Sequence, residues 1–190
     1  HFLYGRRVND CLSRVLGFII TKTLHADALL STSDNGFAIT LAEEQDIDMS
    51  AVFDALYSTD IEELLRGNIR KTELLKRRFR HNASRSFLVL RNYKGYRISV
   101  RRQQMSAQTL LNVVEKIDRD FPVIKETYRE IFRDLMDVER AEEIVDRFRR
   151  GETTWETIET EVPSPFAQNL IILGEPDIIL MKDRKERLLD

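Results

Sequence analysis

The chain has 190 residues, 42% hydrophobic and 33% charged, with a net charge of only −2. That content supports a packed core of one domain or two small ones and excludes a disordered chain. One cysteine, Cys11, excludes an internal disulfide framework or a cysteine-built zinc site and suits a reducing, cytoplasmic setting, while no apolar run nears the roughly 20 residues that cross a bilayer.

Residues 1–5 read as a strand ended by Gly5. The chain opens at His1 on the apolar Phe2-Leu3-Tyr4, which leads us to expect further chain upstream. Residues 7–24 read as a helix, because Val8, Cys11, Leu12, Val15, Leu16, Ile19 and Ile20 recur at helical spacing. Cys11 falls on that apolar face and is expected in the core. Strands are predicted at about 26–32 and 37–41. Asn35-Gly36 between them signals a hairpin whose two turn positions need positive φ. Asp48 caps a short helix through Tyr57, and Thr59 or Ser58 caps another through Arg66, ended by Gly67. A long helix follows over about 70–91, with a stripe of Leu74, Leu75, Phe79, Ala83, Phe87 and Leu90. Tyr93-Lys94-Gly95 is a turn, and 96–100 is either a short strand or its continuation. Ser106 caps a helix over 107–119. Asp120 and Pro122 open the next, through Met136, and Asp137 caps one that stops at Gly151. Trp155 to Val162 alternates like a half-buried strand. Pro163-Ser164-Pro165 breaks it, and Asp177 to Leu189 reads as a terminal helix. The order predicts a helix-rich α+β fold with a small, mostly antiparallel sheet or partial barrel, over 1–190 as one domain. Sub-regions at 1–45 and 46–190 are expected.

Charge is segregated. Between Arg66 and Arg102 stand 13 Lys or Arg and one acid, Glu73, so this stretch carries +12 and the remainder −14. One reading is a solvated face paired with acids around Glu139, Glu142, Glu143 and Asp146, each pair contributing about 0–1 kcal/mol. The other is a surface that follows phosphates. Lys71, Arg78 and Arg85 recur every seven residues on one helix face, with Arg77 and Arg80 beside them. Arg101 and Arg102 add guanidinium forks, and Gln103 and Gln104 add amides suited to phosphates and base edges. Trp155 is either core or a stacking platform for a base.

Catalytic patterns are missing. No G-x-x-x-x-G-K-[ST] occurs, so this sequence does not bind ATP through a P-loop. His1, His25 and His81 are scattered, which gives no metal-ligand spacing. Adjacent acids such as Glu43-Glu44 and Glu142-Glu143 diverge on a helix, and no carboxylate spacing supports a hydrolase or glycosylase-like activity.

Five segments, in order, resemble one family. They are Gly5-Arg6-Arg7-Val8-Asn9, the stretch from Leu75 to Phe87 with Phe79-Arg80-His81, Arg101-Arg102-Gln103-Gln104, Phe121 to Glu130, and Pro163-Ser164-Pro165-Phe166-Ala167. Together they resemble the DEAD/H-associated domain of large helicase-related (Lhr-type) superfamily 2 helicases. Gly174 to Ile179 resembles the archaeal branch more than the bacterial one. The resemblance implies two RecA-like motor domains and a winged-helix domain elsewhere in a parent chain. It implies ATP and Mg in those motors, none in this piece, and 3′–5′ unwinding of DNA or RNA–DNA duplexes. The expected role is an accessory domain that guides single-stranded DNA or RNA through its basic helix. The alternative is a structural brace against the motor and winged-helix domains. No membrane partner is expected.

Overall fold

The computed structural model describes residues 1–42, 45–70, 72–118, 120–173 and 177–179. It is helix-rich α+β, with a three-stranded antiparallel sheet and a two-stranded ribbon. The chain divides into two compact units, one of residues 1–65 and 136–190, the other of residues 66–135. Among the described residues no helix is long and apolar enough to cross a membrane.

The first unit is organised by helix α1 (Arg6–Leu24), whose face of Val8, Cys11, Leu12, Val15, Leu16, Ile19 and Ile20 is buried. Full burial of a side chain of this size contributes about 1.5–3 kcal/mol. The helix packs on strands β1 (Ala28–Ser33) and β2 (Gly36–Leu41) and on helices α2 (Met49–Ser58) and α7 (Val138–Arg149). Asp48 caps α2 by accepting from the Ser50 and Ala51 N–H groups, and Asp137 caps α7 by accepting from Arg140. Both caps follow the sequence expectation.

The hairpin departs from it. Ser33 pairs with Gly36, so Asp34 and Asn35 form the loop and Gly36 begins β2. Gly36, at φ 153°, is required by close approach: a Cβ there would stand 3.3 Å from both His1 Cα and Phe2 N. Residues 1–5 are not a strand. They run to the loop, where Asn35 O accepts from the Phe2 N–H at 3.0 Å. Asn9, fully buried, fastens this arrangement by donating Nδ2 to the carbonyls of Phe2, Ser33 and Asp34 at 2.8, 2.9 and 3.1 Å.

Two later expectations also change. Residues 155–162 form no strand: Trp155 alone packs, by stacking on Phe53, and 156–162 are exposed on both alternating faces, so no half-buried face exists. Asp177–Ile179 forms strand β5, antiparallel to β1 on the edge opposite β2, where a helix was expected. The rest of that predicted helix lies outside the described residues. Helix α8 (Pro165–Leu173) begins with Ser164 accepting from the Ala167 N–H and lies against β1 and β2.

Helix α3 (Ile61–Ile69) is capped by Asp60, which accepts from Glu63 N–H, and it continues through Gly67 rather than ending there. The second unit then packs helices α4 (Glu73–Arg85), α5 (Val100–Ile117) and α6 (Pro122–Arg129). Glu130–Leu135 continues α6 as a π-helical segment, a form rare outside functional or strained places. Leu75, Phe79, Ala83, Leu111, Ile124 and Ile131 form its core. Within it Asn82 donates to Thr127 Oγ1 at 3.2 Å. Strands β3 (Asn92–Tyr93) and β4 (Tyr96–Arg97) pair across Lys94-Gly95. Those two residues have φ of 49° and 83°, as a two-residue I′ turn demands.

Candidate nucleic-acid interface

Helix α4 is shorter than its apolar stripe suggested. It stops at Arg85, where Leu88 N–H donates to Ala83 O at 2.9 Å and Phe87 N–H to Ser84 O at 3.4 Å. This is a Schellman closure, which needs a left-handed residue just past the helix and normally finds glycine there. Here Phe87 occupies it at φ 59°. The closure turns Val89 into the core and throws Phe87 and Leu90 outward, so these two leave the predicted core stripe.

Helix α5 starts earlier than expected. Ser99 Oγ accepts from Arg102 N–H, so Ser99 is the cap and Ser106 lies inside the helix. Arg101 and Arg102 therefore project from the first turn of a helix, and both are exposed. With Leu88, Met105, Leu110 and Val113 they line a shallow groove. Gln103 Nε2 donates to Ile98 O at 2.7 Å, and Gln104 borders a second groove with Glu73, Lys76 and Gln108. The Gln104 Oε1 is buried without a hydrogen-bond partner.

The predicted row of cations resolves into two groups. Arg78 and Arg85 share a face as expected, but both converge on Glu130. Arg85 Nη1 donates to Oε1 at 2.8 Å and Arg78 Nη1 lies 3.4 Å from Oε2. Glu130 is 5% exposed, so its charge is tolerated because two guanidiniums neutralise it. Arg70 makes a two-pronged pair with Glu115, at 3.1 and 3.0 Å, and Lys76 pairs with Glu73. These partners all lie within the second unit, not among the acids around Glu142. Lys71 lies outside the described residues.

The other group has no carboxylate partner among the described residues. Arg77, Arg101 and Arg102 are exposed, and the one polar partner of Arg80 among the described residues is the neighbouring His81 ring at 3.5 Å. Burial first, then Arg80, Arg78 and Arg91, hold the His81 imidazole below its ordinary pKa. Trp155 belongs to the other unit. Its indole stacks on Phe53 at 4.2 Å and 18°, and its N–H donates to Tyr57 Oη at 3.1 Å. One ring face and the polar edge are thus engaged inside the protein.

Sequence reasoning did not find Glu130 as the shared counter-ion. It also placed Phe87 in a core stripe and did not single out the exposed Tyr93 and Tyr96. The Lys94-Gly95 pair was the available signal for the tyrosines, because a tight turn places its flanking residues opposite each other on one ribbon face. Among the described residues no group of His, Cys, Asp and Glu is placed to hold a metal ion.

The sequence pattern of the DEAD/H associated family matches residues 1–167. The chain belongs to this family. Its sequence is 47% identical over 189 residues to the ATP-dependent helicase Lhr-Core of Sulfolobus acidocaldarius, covering 99% of this chain and 22% of that protein. It is 32% identical over 174 residues to the Lhr helicase/uracil glycosylase of Escherichia coli, covering 90% of this chain and 11% of the relative. The fold matches that of Mycobacterium smegmatis helicase Lhr bound to ssDNA and AMP-PNP, with a TM-score of 0.75 and 27% identity. That match covers 90% of this chain and 22% of the other. This DEAD/H associated chain therefore spans about a fifth of the length of its archaeal relatives. The expected resemblance to archaeal large helicase-related proteins is borne out.

Proposed function

We propose that this chain is an accessory strand-holding part of an ATP-dependent 3′–5′ helicase, whose ATP and Mg belong to motor domains elsewhere in the parent protein. One observation carries the reading: exposed guanidiniums at the start of α5 and along α4 lack carboxylate partners among the described residues, in a unit of marked positive charge. Residues 66–135 hold 18 Lys or Arg against seven Asp or Glu, a net of +11. Arg101 and Arg102 make the most direct phosphate contacts, with Arg77 and Arg80 as further cations. Arg78 and Arg85 serve the fold through Glu130 instead. Each neutralised phosphate releases counterions, so the binding weakens as salt rises. The similarity to a helicase whose structure holds ssDNA supports a single strand as the ligand.

The test is binding of a labelled oligothymidylate by the full-length gene product. Arg101→Glu with Arg102→Glu lowers affinity and flattens its dependence on salt. Unchanged affinity and slope in that variant would sink the reading. The brace against motor and winged-helix domains is the second reading, favoured by the apolar lining of the groove beside these arginines. On that reading the same double change lowers the melting temperature and leaves strand affinity alone.

A further inference from the structure

Phe87 is placed at a cost. A bulky side chain in the left-handed region carries about 1–2 kcal/mol of strain that glycine would avoid. Burial normally offsets such a cost, yet Phe87 is 84% exposed. Among the described residues its ring stacks on no other aromatic ring and holds no cation. The closure of α4 requires the left-handed backbone but not an aromatic ring there. Strain held at an exposed aromatic points to a ligand rather than to packing.

Two further aromatics accompany it. Tyr93 and Tyr96 are directly opposite in the β3–β4 ribbon, so their rings share one face, and they are 57% and 81% exposed. Lys94 Nζ stands 5.4 Å from the Tyr93 ring centre. The ribbon is tied to the start of α5: Arg91 O accepts from Ile98 N–H at 2.8 Å, and Ser99 caps the helix. Leu88, next to Phe87, lines the same groove as Ser99, Arg101 and Arg102. Along the chain, exposed aromatic residues thus alternate with cations that have no carboxylate partner among the described residues: Arg91 follows Phe87, Lys94 follows Tyr93 and Arg97 follows Tyr96.

Rings beside cations are the recognition chemistry of unpaired bases, whose faces are available for stacking while the phosphates meet positive charge. A duplex offers its edges and backbone but not its base faces. We infer that Phe87, with the Tyr93–Tyr96 pair, forms a stacking platform for the bases of a single strand whose phosphates lie on Arg101 and Arg102. This rests on the strand-holding role above and adds to it the contact with the bases.

The experiment measures binding of two labelled strands of equal length by the full-length gene product, an oligothymidylate and its abasic counterpart. The variants are Phe87→Gly, Tyr96→Ala and Phe87→Trp, with Arg101→Glu plus Arg102→Glu for comparison. Phe87→Gly keeps the left-handed backbone at ease, so the fold survives it. The platform predicts that Phe87→Gly and Tyr96→Ala each weaken oligothymidylate about ten-fold, within the range of lost base stacking. The abasic strand then binds all variants but the arginine pair as it binds the wild type, and Phe87→Trp keeps full affinity. If Phe87→Gly and Tyr96→Ala leave oligothymidylate untouched while the arginine pair weakens both strands, the platform is wrong and strand holding stands. If the arginine pair also changes nothing, strand holding fails with it. Equal weakening of both strands by Phe87→Gly, or a fall in melting temperature with binding intact, assigns Phe87 to protein packing and overturns the inference.

Discussion

Glu130 shows how one side chain divides a basic helix into structural and free cations. Its carboxylate is almost wholly buried and is matched by Arg78 and Arg85. Removing both partners leaves an unpaired buried charge, the costly way to break such a cluster. Arg78→Ala with Arg85→Ala is expected to destabilise the fold by about 3 kcal/mol, at the low end because the Arg85 side chain is 65% exposed. Urea unfolding of the single and double variants measures this. His81 supplies a pH signature. Its folded pKa is lowered by burial first and then by Arg80, Arg78 and Arg91, so the unfolded chain takes up the proton more readily. Above the ordinary histidine range the group costs nothing. As pH falls through about 6.5, stability is lost, until the folded form also titrates. His81→Gln should remove that part of the decline in stability between pH 7 and 5, as followed by thermal melts. Cys11 is legible from sequence alone, since its place on the apolar face of α1 puts it in the core. Burial, then Asp10, Glu142 and Asp137, push its thiol up, so it should resist thiol reagents until the protein unfolds.

Helix α5 carries the arginines because of one cap. Ser99→Ala removes the side-chain acceptor for Arg102 N–H and should cost about 1 kcal/mol, with weaker oligothymidylate binding as the first turn frays. Circular dichroism melts and titrations read the two effects. The sequence places this helix at 107–119 because Ser106 is read as its cap, seven residues after the true one. Arg101 to Gln104 offer no core-facing residue to extend the pattern, and Ser106 satisfies the same capping rule as Ser99. The end of α4 was misread for the opposite reason. Phe87 and Leu90 continue the helical spacing, but the left-handed turn at Phe87 ends the helix before the spacing matters. Helix α1 was legible from its apolar stripe, α2 from its cap at Asp48, and α7 because its cap at Asp137 and its stop at Gly151 agree.

At the scale of the molecule, the near-zero net charge conceals a second unit of +11 and a remainder of −13. The segregation was visible by counting. Which cations remain free was not, since the pairs that consume them join residues far apart in sequence, as Arg70 with Glu115 and Arg85 with Glu130. The family too was legible, through five short segments in register that span residues matched by the DEAD/H associated pattern. If four of the unpaired cations meet phosphates, the logarithm of affinity for a single strand should fall with the logarithm of salt at a slope of about −3. Titrations across a range of potassium chloride concentrations test this. A flat response would exclude strand holding by charge.

Asn9 has a chemical consequence of its own. Its amide nitrogen faces three carbonyl oxygens and holds the first residues of the chain to the hairpin loop. Hydrolytic deamidation there would exchange nitrogen for oxygen with almost no change of shape. The new aspartate would bring a negative charge against three acceptors and leave nothing to donate. A slow loss of ammonia at that single atom would thus free residues 1–5 from the hairpin loop and loosen the seat of α1.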